Sequence, residues 1–181
     1  MMILRRALPI GMAILLIALA QTAVAANGVV GSATGGGKYL LLGTESTKFS
    51  FSAVANADGS ASGTFQHSVV FEGELIDFQG AVTCVSFDPE EHRAWIGGVV
   101  TRNDSTEPSY LEARNEVGRD IWFRMVDYGA GAASQDDRTT FVGFEGDAGI
   151  TTSAEYCAVQ LWAEGDARTW AVTKGNIQVA D

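Results

Sequence analysis

Phe49-Ser50-Phe51-Ser52-Ala53-Val54-Ala55-Asn56-Ala57-Asp58-Gly59-Ser60-Ala61-Ser62-Gly63-Thr64-Phe65-Gln66-His67-Ser68-Val69 is the stretch that decides the fold. Phe49, Phe51, Ala53 and Ala55 alternate with Ser50, Ser52 and Val54, the period of a half-buried strand. Asp58-Gly59 is a hairpin turn signal, because glycine reaches the left-handed backbone such turns need. Gly63, Phe65, His67 and Val69 then alternate with Thr64, Gln66 and Ser68. Two strands joined by that turn form an antiparallel hairpin.

The same pattern continues downstream. Ile76, Phe78, Val82 and Cys84 share a face, with Asp77, Gln79 and Thr83 opposite, so the Cys84 sulfur is expected to point inward. Asp88-Pro89-Glu90-Glu91 reads as a turn, and Ala94 to Thr101 as a strand. The Gly97-Gly98 pair inside that strand points to a bulge or a close backbone approach. Asn103 to Gly118 is polar, with room for one helical turn after Pro108. Ile121 to Asp127 and Thr139 to Phe144 read as strands around a Gly- and Ala-rich loop. Thr151 to Trp162 reads as a short helix, with Thr152 and Glu155 at capping-box spacing. Arg168 to Val179 closes the chain as a strand interrupted at Gly175-Asn176. Seven or eight strands with short turns and little helix imply an all-β fold, an antiparallel barrel or sandwich. Its core is expected to hold Phe49, Phe51, Phe65, Phe78, Val82, Ile96, Val100, Phe123 and Met125.

Working back toward the N-terminus, residues 26–37 are rich in Gly, Ala and Ser and read as a flexible lead-in. Before them stand Arg5-Arg6, an apolar run from Ala7 to Ala20, and Ala23-Val24-Ala25. That is the charged, apolar and small-residue order of a cleaved signal peptide over residues 1–25. The run falls short of the roughly 20 apolar residues a membrane-spanning helix needs. Residues 26–181 are then one exported domain, secreted to the extracellular space or the periplasm, with no later membrane segment. Arg5 and Arg6 leave with the leader. The mature chain keeps ten basic against 22 acidic residues, a net charge of −12. So acidic a chain repels phosphate, which argues against nucleic acid as a partner.

The cysteines, Cys84 and Cys157, both fall in the exported part, where an isolated pair is expected to form a disulfide, the alternative being two buried free thiols. Closing so long a loop is worth about 4 kcal/mol on chain-entropy grounds. No C-x-x-C is present to make the pair redox-active, and His67 and His92 lack zinc-ligand spacing to it.

Taken in order, Phe49-x-Phe51-x-Ala53, Ala57-Asp58-Gly59-x-x-x-Gly63, Gly80-x-Val82-Thr83-Cys84 and Ala94-Trp95-Ile96-Gly97-Gly98-Val99-Val100 form one set of motifs. Phe123-Arg124-Met125-Val126-Asp127-x-Gly129, Asp136-Asp137, Tyr156-Cys157 and Gly175-Asn176-Ile177-Gln178-Val179 complete it. The set resembles a family of small exported bacterial all-β domains of unknown function. The resemblance implies a bacterial source and an all-β domain with paired cysteines, and it implies no activity. The polar insertion between Asn103 and Gly118 departs from the family pattern.

Catalytic residues do not stand out. No G-x-S-x-G elbow is present, and Gly35-Gly36-Gly37-Lys38 lacks phosphate-loop spacing. His67 could sit in a barrel mouth as a base, but a hydrogen-bonded core or edge histidine is the plainer reading. Asp127, Asp136 and Asp137 flank one loop and could hold Ca²⁺, which takes six to eight oxygens. Against this stands a structural role, in which aspartates cap backbone N–H groups. No other cofactor is expected. The sequence therefore favours a non-enzymatic binding or structural module, taking a small molecule, a polysaccharide or a protein. The alternative is a small barrel enzyme, an isomerase or hydrolase, with its site in the barrel mouth.

Overall fold

The structure is a computed structural model that describes residues 28–130, 134–163 and 165–180. The expected signal peptide, residues 1–25, lies outside the described residues. Among those described, no helix is long and apolar enough to cross a membrane.

Nine strands follow one another: β1 (Val29–Leu41), β2 (Glu45–Asn56), β3 (Ala61–Phe71), β4 (Glu74–Asp88), β5 (Arg93–Asn103), β6 (Asp120–Val126), β7 (Arg138–Thr140), β8 (Gly143–Phe144) and β9 (Thr169–Ala180). The helix α1 (Ser153–Val159) precedes β9, and a single π-helical turn, Tyr110–Arg114, follows β5 where a helical turn is expected after Pro108. Each strand from β1 to β6 pairs antiparallel with the next; β6 pairs with β7, β7 with β9, and β9 with β1. The ring is closed, so the fold is an eight-stranded antiparallel barrel. β8 continues the line of β7 against β6, pairing Ile121 with Phe144.

The opening hairpin forms as its alternation dictates. Thr47, Phe49, Phe51 and Ala53 on β2 are buried, and Ser46, Lys48, Ser50 and Ser52 between them are exposed. In the turn, Asp58 Oδ1 accepts from Ser60 N at 2.9 Å, while Gly59 takes a left-handed φ of 84°. All nine expected core residues are buried in one cluster.

Three expectations need correction. Residues 29–37 are not a lead-in but the first part of β1, which pairs with both β2 and β9. Glycines occupy this strand because its neighbours crowd it. A Cβ at Gly35 would meet the Phe51 ring at 2.7 Å, and one at Gly37 the Lys174 carbonyl at 2.3 Å. The closing strand is likewise continuous, running through Gly175-Asn176. Finally, Cys84 does not share the inward face of Val82. The β4–β5 register shifts between Val82 and Cys84, so Val85 and Phe87 pack on the core cluster while Cys84 packs outside it. A bulge adds one residue and so exchanges the faces beyond it.

That outer position meets a second, smaller cluster. Trp95 on β5 and Trp122 on β6 point away from the barrel interior and are covered by Ile150, Tyr156 and Cys157. The Trp122 and Tyr156 rings stack at 5.6 Å. Thr152 caps α1, its hydroxyl accepting from Glu155 N at 3.2 Å, as the capping spacing predicts. The Cys84–Cys157 disulfide ties α1 to β4 across 73 residues of chain, with Cα atoms 6.2 Å apart. The glycine pair of β5 serves both sides. A Cβ at Gly97 would lie 2.7 Å from Ser153 Cβ on α1; one at Gly98 would lie 2.9 Å from the Phe65 ring inside the barrel.

Candidate functional site

A barrel of eight strands is just wide enough for side chains to fill or for one small ligand. Here side chains fill it. Phe123 on β6 reaches Phe51 on β2, with ring centroids 5.9 Å apart. These two strands stand opposite each other in the ring of eight, so the contact spans the interior. Phe123 also meets Phe65 at 5.8 Å and His67 at 5.1 Å, both edge-on.

His67 is buried in this packing, not placed in a mouth. Its ring stacks on Phe78 at 5.8 Å and on Phe49 at 6.4 Å. Neither ring nitrogen has a hydrogen-bond partner. Burial pushes its pKa down to about 3, so the imidazole is neutral at ordinary pH. A base needs its nitrogen within reach of a substrate proton. These nitrogens face aromatic carbon. The plain reading of His67 as a core histidine holds, but the hydrogen bond that reading assumed is missing.

Two other polar groups share the interior. Tyr39 and Thr47 are register partners on β1 and β2, both are buried, and their hydroxyls face each other as a hydrogen-bonding pair. Burial raises the Tyr39 pKa. Each unpaired ring nitrogen of His67 costs about 1–3 kcal/mol.

The aspartates of the 127–137 loop act on backbone. Asp127 accepts from Gly129 N at 2.7 Å and Val179 N at 3.0 Å. Asp137 accepts from Tyr128 N at 3.0 Å and Ile177 N at 2.7 Å. Burial raises the Asp137 carboxyl pKa, and the two N–H groups oppose that rise. Asp136 is exposed. Among the described residues, no group of three His, Cys, Asp or Glu side chains is placed to hold a metal ion. The four hydrogen bonds shape the loop and pin β9 to it. Beside them opens a surface depression of about 350 Å³, lined by Glu90, Glu91, His92, Asp127 and Tyr128.

Sequence reasoning missed the chemistry beneath the segment that follows α1. Arg93 and Arg124 lie on the outer face of β5 and β6, yet both are buried. Trp95 Nε1 donates to Leu161 O at 2.8 Å, Arg93 Nη1 to Ala163 O, and Arg124 Nη2 to Ala167 O at 2.8 Å. These donors fasten the chain that returns from α1 to β9. Burial lowers the Arg124 pKa. The available signal was parity: Arg93, Trp95, Trp122 and Arg124 are long side chains at consecutive outward positions, more than a solvated face needs.

Comparison with protein-family models, with curated proteins and with solved structures returns no match. The site must therefore be read from its own geometry: a solid interior, a loop shaped by aspartates, and an outer surface that differs from side to side.

Proposed function

We propose that the chain is an exported binding or structural module that acts through its outer surface and performs no catalysis. The observation that carries this reading is the contact of Phe123 with Phe51 across the barrel, which leaves the axis occupied by protein. Ligand-holding barrels keep that space open. Among the described residues the interior offers no acid–base pair either, since His67 faces Phe49, Phe78 and Phe123.

Export is supported by the leader pattern in residues 1–25 and by the disulfide, which suits an oxidising compartment. The resemblance to small exported bacterial domains agrees with both. Intact mass of the exported protein checks the first point: it should begin near Ala26. Aromatic NMR of the mature protein with an apolar probe such as anilinonaphthalene sulfonate checks the second. The Phe51, His67 and Phe123 resonances should stay in place. Saturable one-to-one uptake that moves them would return the barrel-enzyme reading.

A further inference from the structure

Lys38, Lys48 and Lys174 are the only lysines of the chain, and the fold brings them side by side. Lys38 on β1 is the register partner of Lys48 on β2 and of Lys174 on β9. All three are exposed. Adjacent strands lie about 4.8 Å apart, so the three ammonium groups form one short row across three strands. Among the described residues, none of them makes an ion pair. Like charges directly opposite each other on a sheet are destabilising, so the row is held against its own repulsion.

The surroundings sharpen the contrast. The chain as a whole is acidic, with 22 Asp and Glu against 12 Lys and Arg. Yet β9, β1, β2 and β3 together hold one acid, Glu45, which opens β2 at the barrel rim. The positions that alternate outward on these strands are mainly Ser, Thr, Asn, Gln and Gly. None of them on β1, β2, β3, or on β9 from Lys174 onward, is aromatic. The row continues past Lys48 to Ser68 and ends at Asp77, where the acidic half begins. Along that end lies a shallow depression of about 230 Å³, lined by Lys48, Ser50, Gln66, Ser68 and Asp77.

We infer that this face of the barrel is a docking surface for an acidic polysaccharide, with the lysine row on its carboxylate or sulfate groups and the hydroxyl- and amide-rich strands on its sugar hydroxyls. The inference rests on the surface-acting reading above and names the surface and the partner. Charge complementarity selects a polyanion, because the face poorest in carboxylates, with Glu45 alone at its rim, carries every lysine. The absence of aromatic side chains from that face argues against single-stranded nucleic acid, whose bases stack on such rings. The acidity of the rest of the chain opposes a flat anionic bilayer, which would face far more than this strip. A single polymer strand can lie along the strip without meeting the acidic half.

The test titrates the mature protein with polygalacturonate and with dextran sulfate, and with neutral dextran, an oligothymidine and anionic phosphatidylglycerol vesicles as comparisons. Polygalacturonate or dextran sulfate should bind saturably, with amide shifts confined to β9, β1, β2 and β3. Binding should weaken by about tenfold or more between 50 and 200 mM salt, as expected when three cations release counterions. The Lys38→Gln, Lys48→Gln, Lys174→Gln triple variant should lose at least about tenfold in affinity at an unchanged melting temperature. The Lys→Arg triple should keep binding, and Arg102→Gln, outside the strip, should change nothing. Equal binding by the Lys→Gln triple, or no binding of either acidic polysaccharide, overturns the inference. Tighter binding of the oligonucleotide or the vesicles overturns it too. If the interior aromatic resonances stay in place meanwhile, the surface-acting reading survives; if they move with a bound ligand, that reading fails instead.

Discussion

β2 and β5 sit in the same barrel and obey different rules. On β2, burial alternates residue by residue from Thr47 to Ala53. On β5, six consecutive residues from Arg93 to Gly98 are buried, and on β6 the six from Ile121 to Val126. β2 has the barrel interior on one side and water on the other. β5 and β6 have the interior on one side and the cover of α1, Ile150 and the returning segment on the other. A strand buried on both faces loses the period of two, because neither parity is free to be polar. What replaces it is size and donor capacity: Trp95, Trp122, Arg93 and Arg124 fill the covered side, and all but Trp122 donate to the carbonyls of the cover. The barrel therefore has an open half that keeps a flat hydrophilic face and a covered half that gives its outer face to packing.

The largest effect should come from the interior that both halves share. Phe65→Ala removes a ring that touches Phe123 and packs over Gly80 and Gly98. A loss of about 3–5 kcal/mol in denaturant unfolding is expected. A loss under about 0.5 kcal/mol, the size of a surface change, would mean the barrel is not packed as described.

Removing the disulfide should separate the halves. Cys84→Ser with Cys157→Ser should cost about 2–5 kcal/mol. Hydrogen exchange should rise first over residues 145–163, which the disulfide holds to the barrel together with Trp122–Tyr156 stacking, the Arg119–Glu145 ion pair, the Ser153 N–Asp120 bond and a few carbonyl bonds. The amides of β1, β2 and β3 should stay protected. Uniform loss of protection across both halves would dissolve the distinction.

Acid should act on the interior through His67. Its folded pKa of about 3 lies below the ordinary value of 6.5, so the unfolded chain binds the proton and the folded one does not. Stability is therefore flat above about pH 6.5 and falls as pH drops from there toward 3, by about 1.4 kcal/mol per unit. Between pH 6.5 and 5 the loss should be about 2 kcal/mol. His67→Phe keeps a ring, removes the unpaired nitrogens and should abolish this part of the slope. An identical slope in wild type and variant would show that His67 is not the titrating group.

The smallest effect should fall on the open face. Ser50→Ala on β2 changes an exposed side chain between buried Phe49 and Phe51 and should stay within about 0.5 kcal/mol. A larger loss would mean that something covers this half as well.

Local order is written in the sequence itself. The alternation from Phe49 to Val69 and the turn at Asp58-Gly59 set two strands, their inward faces and their pairing, because neighbouring side chains on a strand must point to opposite sides. The nine core residues follow from the same rule, the Thr152 cap from its spacing to Glu155, and the disulfide from the compartment expected for the chain. What the tertiary structure alone decided depends on register and closure. Gly35 and Gly37 look like linker glycines until Phe51 of β2 and the backbone of β9 crowd them. Cys84 changes face because a bulge, invisible in composition, adds one residue before it. His67 has no partner because Phe49, Phe78 and Phe123 arrive from three different strands. Lys38 and Lys174 stand at opposite ends of the described chain and become neighbours only when β9 closes on β1. A residue's face is set by its immediate neighbours in the chain, whereas its company is set by which strands the closed ring brings alongside.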